Sequence, residues 1–537
     1  MGNIQLSDKR QPLIMETIYN EDMFYKRLKE TKTIHIILFL VGLLISLIVG
    51  IASIRNKRIF DIDESLSMSL ANEQTIGWVE YEPHGWVTKD VFQRYIVTDH
   101  PFSYEQVIRN QAEDVHPPLY YLLLHTAYSF HPGASSLWIG LGINLFFYLM
   151  NCALLYWLLV RNTRSLLTPF VGMLLYAFNP IVIKLLTLLR MYQMVSTFSF
   201  LFLFFGTEIV IHRKPMYPAL LITTILGGLT HYYFYYAVLC MCLVFGVGLL
   251  VQKRFLPFLY SVVCVGLGTV LNFFVFFPAT RDHLFSSAAN GSHGVYARES
   301  LSSGAFKTDT FRQFLDLTYG GKLIYYLSLI LGIALLVIVL ILTIRKTKIN
   351  LLLKQVMALS GGLLLAYVGY VMLVSQTASY IEARYLIAGE IIGICGFLLT
   401  CGSLPYEAGV IPCLLICMLR FDSSLLYGNR NTIPSAQYAS EEGGPLVVVM
   451  DEPLSTNVLG ECYLDYLAYT ATGFTSLNEE LKGIYPEQFT VYYARSLSTE
   501  SVESYICKQA GTDLQFTEHP EVITTEFNVL EVNREGN

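Results

Sequence analysis

The sequence predicts a polytopic α-helical membrane protein, about 11–13 spans of the roughly 20 apolar residues each that a bilayer requires, followed by a small α/β domain. Three observations predict it. First, of 537 residues 53% are hydrophobic and only 15% charged, whereas soluble domains carry about 25% charged residues. Second, apolar runs long enough to cross a bilayer recur from residue 34 to residue 420. Third, beyond about residue 425 these runs give way to short strand-like and helix-like segments.

The first run, Ile36 to Ile54, is too long for a cleaved signal peptide and lacks a following small-residue site, so it is expected to be retained. Further spans are expected at 137–160, 165–183, 192–211, 215–230, 232–252, 255–277, 322–344, 350–374, 385–402 and 406–420. Segment 117–130 is too short to span comfortably and is expected to lie at the interface or insert only partly. If it does span, the parity of the helices changes.

Basic residues orient these spans, because Lys and Arg stay on the cytoplasmic side. Lys9, Arg10, Lys26, Arg27, Lys29 and Lys32 precede the first span, and Arg161/Arg164, Arg213/Lys214, Lys253/Arg254 and Arg345/Lys346/Lys348 recur at every second loop. The N-terminal segment 1–32 is therefore expected in the cytoplasm. Loop 55–116, the turns near Arg190 and His231, loop 278–321, the turn Glu382 to Tyr385 and the C-terminal tail fall on the opposite side. Arg55, Lys57 and Arg58 stand just beyond the first span, against the rule.

The tail from 425 to 537 is expected to form an α/β domain outside the cytoplasm. Pro445 to Met450 predicts a buried strand, 486–493, 513–517 and 525–532 further strands, and 455–468 and 499–510 helices. Asp451, after the Val run, is expected to be a turn residue.

Composition excludes some functions. A net charge of −6 with no basic block argues against nucleic acid as a partner. Most of the ten cysteines sit singly in apolar runs, with no Cys-x-x-Cys and no zinc spacing. Cys462 and Cys507 alone lie in the polar tail, where an oxidising exterior would let them pair.

Five polar motifs fall on the side away from the basic loops. Asp61-Ile62-Asp63-Glu64 begins the first long loop, where acids at membrane level are costly unless solvated or used. A carboxylate there suits a general base for a hydroxyl, though alone it also fits a solvated helix start. Asp114-Val115-His116-Pro117-Pro118-Leu119-Tyr120-Tyr121 sets Asp114 and His116 ahead of a proline-started helix. Arg190-Met191-Tyr192 follows Asn179-Pro180 and offers a phosphate clamp or a snorkelling anchor. Thr230-His231-Tyr232-Tyr233 and Glu382-Ala383-Arg384-Tyr385 complete the set. Carboxylates plus arginines on one face suit transfer from a phosphate-linked donor, whose leaving group needs charge neutralisation more than a proton.

At these residues the chain resembles the GT-C superfamily of glycosyltransferases, in particular the protein O-mannosyltransferase and aminoarabinose transferase branch (the bacterial glycosyltransferase 39-like membrane family). Asp63-Glu64, the Asp114–Tyr121 run, Arg190-Met191-Tyr192, His231-Tyr232-Tyr233 and Arg384-Tyr385 carry the resemblance, over about residues 33–400. The chain departs from it at Leu188-Leu189, where relatives often place Glu-Ala. The resemblance implies a GT-C-like catalytic domain over 33–424 and transfer, with inversion, of a sugar from a polyprenyl-phosphate-linked donor to a hydroxyl on a glycan, lipid or protein acceptor, on the extracytoplasmic face of the cell membrane. It implies Asp63 as general base, Glu64 in support and Asp61 as a rival base. Arg190 and Arg384, with His116, Tyr192 and Tyr385, are expected to hold the donor phosphate; Asp114, His231 and Tyr232 are expected on the acceptor side. No cofactor is assigned, and a divalent metal is compatible with the class. Two other readings compete. A transporter or flippase for lipid-linked sugar or polysaccharide would show repeated halves with broken helices and mid-membrane charges, and no internal repeat is evident. An assembly protein would work through its C-terminal domain.

Overall fold

A computed structural model describes residues 10–57, 62–72, 97–134, 136–163, 165–285, 307–319, 322–345, 351–378, 381–404, 407–420, 433–434, 446–449, 474–476, 488–511, 513–523 and 527–534. Helices stand at every position where a span is expected. They begin with α1 (Arg10–Arg55), after which α2 (Ile62–Asn72), α3 (Tyr104–Glu113) and α4 (Leu119–Ser129) are short helices of the first loop region. The bundle continues with α5 (Leu137–Asn162), α6 (Thr168–Ala177), α7 (Pro180–Leu186), α8 (Tyr192–Val210), α9 (Tyr217–Gly228), α10 (Tyr233–Val251) and α11 (Phe255–Leu271). Then come α12 (Ala279–Phe285), α13 (Thr308–Tyr319), α14 (Lys322–Ile344), α15 (Leu351–Thr377), α16 (Ile387–Gly402) and α17 (Val410–Arg420).

Among the described residues, 7 helices are long and apolar enough to cross a membrane, or 8 if α6 and α7 form one bent span. The chain is thus a multi-pass membrane protein. The remaining expected spans correspond to shorter apolar helices, among them α9 and the stretch Leu329–Ile344 of α14. Segment 117–130 forms only the 11-residue α4, about 16 Å at 1.5 Å per residue, too short for a bilayer.

Local chemistry explains the break between α6 and α7. Pro180 cannot donate to the preceding turn, and Asn179 caps the new helix by accepting from Ile181 N at 3.0 Å. The two helices bend by 55° there. The chain then turns through 187–191 before α8 begins. That turn is clamped from α5, where Asn144 Nδ2 donates to Leu188 O at 2.6 Å and Leu186 O at 3.3 Å. Deeper in the bundle Asn151 of α5 donates to Gln193 O at 3.0 Å and accepts from Thr197 Oγ1 at 2.6 Å on α8. Such bonds hold helices together where lipid removes the hydrophobic drive between them.

The turn 383–386 ahead of α16 is set in a related way. A side chain at Gly389 would meet the Tyr370 ring at 2.0 Å. Glycine lets that ring lie flat on α16, and Tyr370 Oη donates to Tyr385 O at 2.7 Å.

The C-terminal part holds a five-stranded mixed sheet in the order β3 (Phe474–Ser476), β2 (Leu446–Val449), β4 (Gln488–Ala494), β7 (Phe527–Arg534), β5 (Leu514–Glu518). β2 is parallel to β3 and β4, and β7 is antiparallel to β4 and β5. The helix α18 (Thr499–Ala510) lays Val502 and Ile506 on Val491, Leu530 and Val532. Strand alternation turns Tyr492, Phe527 and Val529 to the other face, where they join the core of the helical bundle. The four longer strands and α18 match the expected segments within two residues or so. β3 and the two-residue strands β1 (Ile433–Pro434) and β6 (Val522–Ile523), which pair in parallel, were too short to carry a pattern. The expected helix 455–468, Asp451 and Cys462 lie outside the described residues.

Candidate active site

All five polar motifs reach one end of the bundle, where Arg190, Arg384 and His116 stand near Asp63. Asp63 and Glu64 occupy the first turn of α2. Asp114 and His116 lie between α3 and α4, Arg190 in the turn before α8, Tyr192 at the start of α8, His231 and Tyr232 before α10, and Arg384 with Tyr385 in the 3-10 turn before α16. Asp61 lies outside the described residues.

Asp63 bridges two arginines that are distant in sequence. Its Oδ1 stands 3.2 Å from Arg190 Nη2, and its Oδ2 is hydrogen-bonded and ion-paired to Arg384 Nη1. Arg190 is held on its other side by Tyr121 Oη at 3.0 Å and Ser67 Oγ at 3.2 Å. The Nε atoms of both arginines are buried without a hydrogen-bond partner among the described residues. A buried N–H of a cation left unbonded is costly, so both guanidiniums retain donor capacity for an anion. Arg190 is 4% exposed, whereas Asp63 and Arg384 are each 19% exposed. The ion pair is therefore reachable from one side.

Burial alone would raise the Asp63 carboxyl. The charges of Arg190, Arg384 and His116 outweigh it and hold the group down at about 2. In the resting protein Asp63 is thus an anion locked to cations, a weak base until something takes the arginines away. A carboxyl whose folded value is depressed contributes stability that is complete above its unfolded value near 4 and is lost as pH falls through its folded value. The contribution of this ion pair should therefore be constant from pH 8 to about 4 and vanish between about 4 and 2. Denaturant unfolding of wild type and Asp63→Asn across that range checks it; the stability difference should shrink only below about pH 4.

Glu64 faces elsewhere. It is fully buried, paired with Lys57 at 2.8 Å, and its Oε1 accepts from Leu189 N at 2.7 Å. This explains Lys57, which stands on the wrong side of the first span for a simple charge rule: it neutralises a buried acid. It also bears on the turn whose sequence lacks the acid of the resembled family, since Glu64 brings a carboxylate to Leu189 from α2. Glu64 thereby anchors the turn that carries Arg190. Removing Lys57 as Lys57→Met takes the cation away from a buried carboxylate and should cost about 3–5 kcal/mol. The double variant Lys57→Met/Glu64→Gln should regain most of it, as denaturant unfolding in detergent will show.

Asp114 and His116 form a second pair, Oδ2 to Nδ1 at 2.7 Å. Burial pushes the Asp114 carboxyl up, but His116, its hydrogen bond and Arg190 pull it lower overall. The ionised Asp114 accepts the Nδ1 proton and leaves proton exchange to Nε2. The His116 ring lies 6.2 Å from the His231 ring, which meets Tyr192 at 5.6 Å and stacks on Tyr233 at 5.2 Å. Tyr233 continues to Tyr385 at 5.1 Å, with the Arg384 guanidinium 5.5 Å over the Tyr385 ring. An aromatic arc thus runs beside the ion pair from His116 to Arg384.

Tyr232 turns outward from this arc. Its hydroxyl donates to His283 Nδ1 at 2.6 Å, while His283 Nε2 donates to Ala112 O at 3.0 Å. It ties α10, α12 and α3 together at the rim. Sequence reasoning did not single out Tyr121, Ser67, Lys57, Tyr233 or His283 as site residues. Tyr121 and Tyr233 lay inside quoted motifs, and the misplaced charge of Lys57 was its signal; Ser67 and His283 carried none. Among the described residues no three His, Cys, Asp or Glu side chains form a metal-binding group.

The bundle and its ion-paired cluster define a multi-pass membrane protein with a charged, aromatic-flanked site at one end of its helices. No protein-family model matches the chain, and no curated protein matches it. Among solved structures it is similar to the crystal structure of ArnT from Cupriavidus metallidurans bound to undecaprenyl phosphate, with TM-score 0.39 and 11% identity over 92% of this chain and 97% of that one. The apo form of the same protein gives TM-score 0.34 and 12% identity over the same shares. A likeness at that level leaves the chemistry to be read from the site.

Proposed function

We propose that the chain is a membrane glycosyltransferase that moves a sugar from a polyprenyl-phosphate donor to a hydroxyl acceptor, with inversion, on the extracytoplasmic face. The observation that carries it is the convergence of Arg190 and Arg384 on Asp63, with two buried guanidinium N–H groups unbonded among the described residues. An anionic phosphodiester suits that cradle, since guanidiniums match phosphate oxygens in charge and geometry. On this reading the donor phosphate displaces Asp63 from the arginines. The freed carboxylate accepts the proton of the attacking hydroxyl. The hydroxyl oxygen bonds to the anomeric carbon as the carbon–oxygen bond to phosphate breaks, and the electron pair leaves on polyprenyl phosphate, whose added charge the two guanidiniums stabilise. The aromatic arc from His116 to Tyr385 walls the sugar. Asp114 and His231 fit the acceptor side, while Tyr232 supports the rim. The alternating basic loops support an extracytoplasmic site, with 1–32 in the cytoplasm, 33–424 as the catalytic domain and 425–537 as an external α/β domain.

The test is incubation of the purified protein with polyprenyl-phosphate sugars and envelope fractions, followed by mass analysis. Release of polyprenyl phosphate together with a glycosylated product is expected. Movement of lipid-linked sugar across vesicles with no glycosyl product would replace this reading by transport.

The pH dependence separates the two candidate proton acceptors. With Asp63 as base, kcat/KM, which reports the free enzyme, should show no acidic limb above about pH 4, because Asp63 stays ionised down to about 2. An acidic limb above about pH 4 that is abolished in His116→Gln would transfer the role to the Asp114–His116 pair.

A further inference from the structure

The basic side of the bundle holds an apolar cleft along the half of α8 remote from Arg190. On α8 it runs from Phe202 to Val210, about 18 to 30 Å from Arg190 at 1.5 Å per residue. The cleft is a narrow groove of about 40 Å³ between α8, α9, α10 and α11, and its wall is almost wholly apolar, including Phe202, Val210, Cys242, Phe245, Phe258 and Val265. Its outer wall, α11, is the least buried of the seven long apolar helices among the described residues, so that wall faces the lipid.

The rim of this cleft is cationic. Arg254 reaches over it, its Nη1 donating to Ile209 O at 2.9 Å and Val210 O at 3.1 Å, both residues of the cleft wall. Burial first, and then the charge of nearby Arg213, draws the Arg254 guanidinium down from its ordinary value. Lys253 adjoins it. The local acid, Glu208, is already taken by Arg161 at 2.6 Å and Lys214 at 3.1 Å. Arg213, Lys253 and Arg254 have no carboxylate partner among the described residues. Tyr217 and Tyr260 pair at 5.4 Å beside them, as aromatic residues do at the level of lipid headgroups.

We propose that this cleft binds one anionic phospholipid of the adjacent leaflet, an acyl chain between α8, α10 and α11 and its phosphate on Arg254, Arg213 and Lys253. Inside a bilayer the chain gains little by leaving other lipid for a protein groove, because lipid tails are as apolar as the wall. Selectivity must then come from the headgroup, at about fivefold in affinity for each basic residue. The site is independent of the transfer chemistry.

Native mass spectrometry of the full-length protein in detergent, titrated with phosphatidylglycerol and with phosphatidylcholine of identical chains, tests it. One phosphatidylglycerol should be retained at least about tenfold more strongly. Arg213 and Lys253 have left-handed backbones, with φ 59° and 58°, which asparagine tolerates. Arg213→Asn/Lys253→Asn should therefore fold normally and weaken phosphatidylglycerol about 25-fold while leaving phosphatidylcholine unchanged. Ser261→Trp, which fills the cleft from α11, should abolish retention with the rim intact. Equal binding of the two lipids, an unchanged double variant, or full retention in Ser261→Trp would overturn the proposal. Displacement of the phospholipid from the cleft by equimolar polyprenyl phosphate would also overturn it, assigning the cleft to the donor's tail.

Discussion

Asp63→Asn is expected to abolish sugar transfer while tightening the hold on polyprenyl phosphate. The substitution removes the proton acceptor, and loss of a general base costs about 10²–10⁴ in rate. It also removes the anion that competes with phosphate for Arg190 and Arg384. The donor no longer has to break a carboxylate–guanidinium pair to bind. Turnover should therefore fall by at least about 100-fold, while the dissociation constant for polyprenyl phosphate falls as well. Two measurements are needed, product formation under saturating donor and direct binding of the lipid phosphate. Weaker binding together with lost turnover would mean that Asp63 organises the arginines and does not compete for them. Retained turnover would remove Asp63 as the base.

Arg190→Lys comes second in expected effect, although it keeps the charge. Arg190 uses its guanidinium fork to touch Asp63, Tyr121 and Ser67 together. A lysine ammonium is a compact point charge on a flexible stem and cannot reproduce that planar set. Shifts of about 1 Å at a reacting centre can cost about 100-fold, and a loss of that size in kcat/KM is expected. Arg384→Lys should be milder, because its side chain is less buried and a lysine there can follow the phosphate. Steady-state kinetics of the two variants against one donor checks the order. If Arg384→Lys proves the more damaging, the principal phosphate contact belongs to the turn before α16.

Much of this was legible in the linear order of residues. Hydropathy marks where a helix must lie in lipid, and each expected span carries a helix. Charge alternation places Asp63, Asp114, Arg190, His231 and Arg384 at one end, and that is where they meet. These properties are local, and a bilayer imposes them residue by residue, so a sequence displays them openly.

Pairing is different. Asp63 and Arg384 are separated by 321 positions, and no local pattern says which acid reaches which arginine. Sequence put Glu64 beside Asp63 as a helper in the chemistry. One residue further along α2 points it to another side of the helix, and there it pairs with Lys57 and holds the Leu189 amide. Tyr232 and Tyr233 diverge for the same reason, one to His283 at the rim and the other into the aromatic arc. The amino-acid order by itself determined which groups lipid would exclude and to which end they would go. Only the folded bundle decided their partners, because helix rotation and the bend at Asn179-Pro180 set the direction of each side chain, and those depend on packing between distant segments.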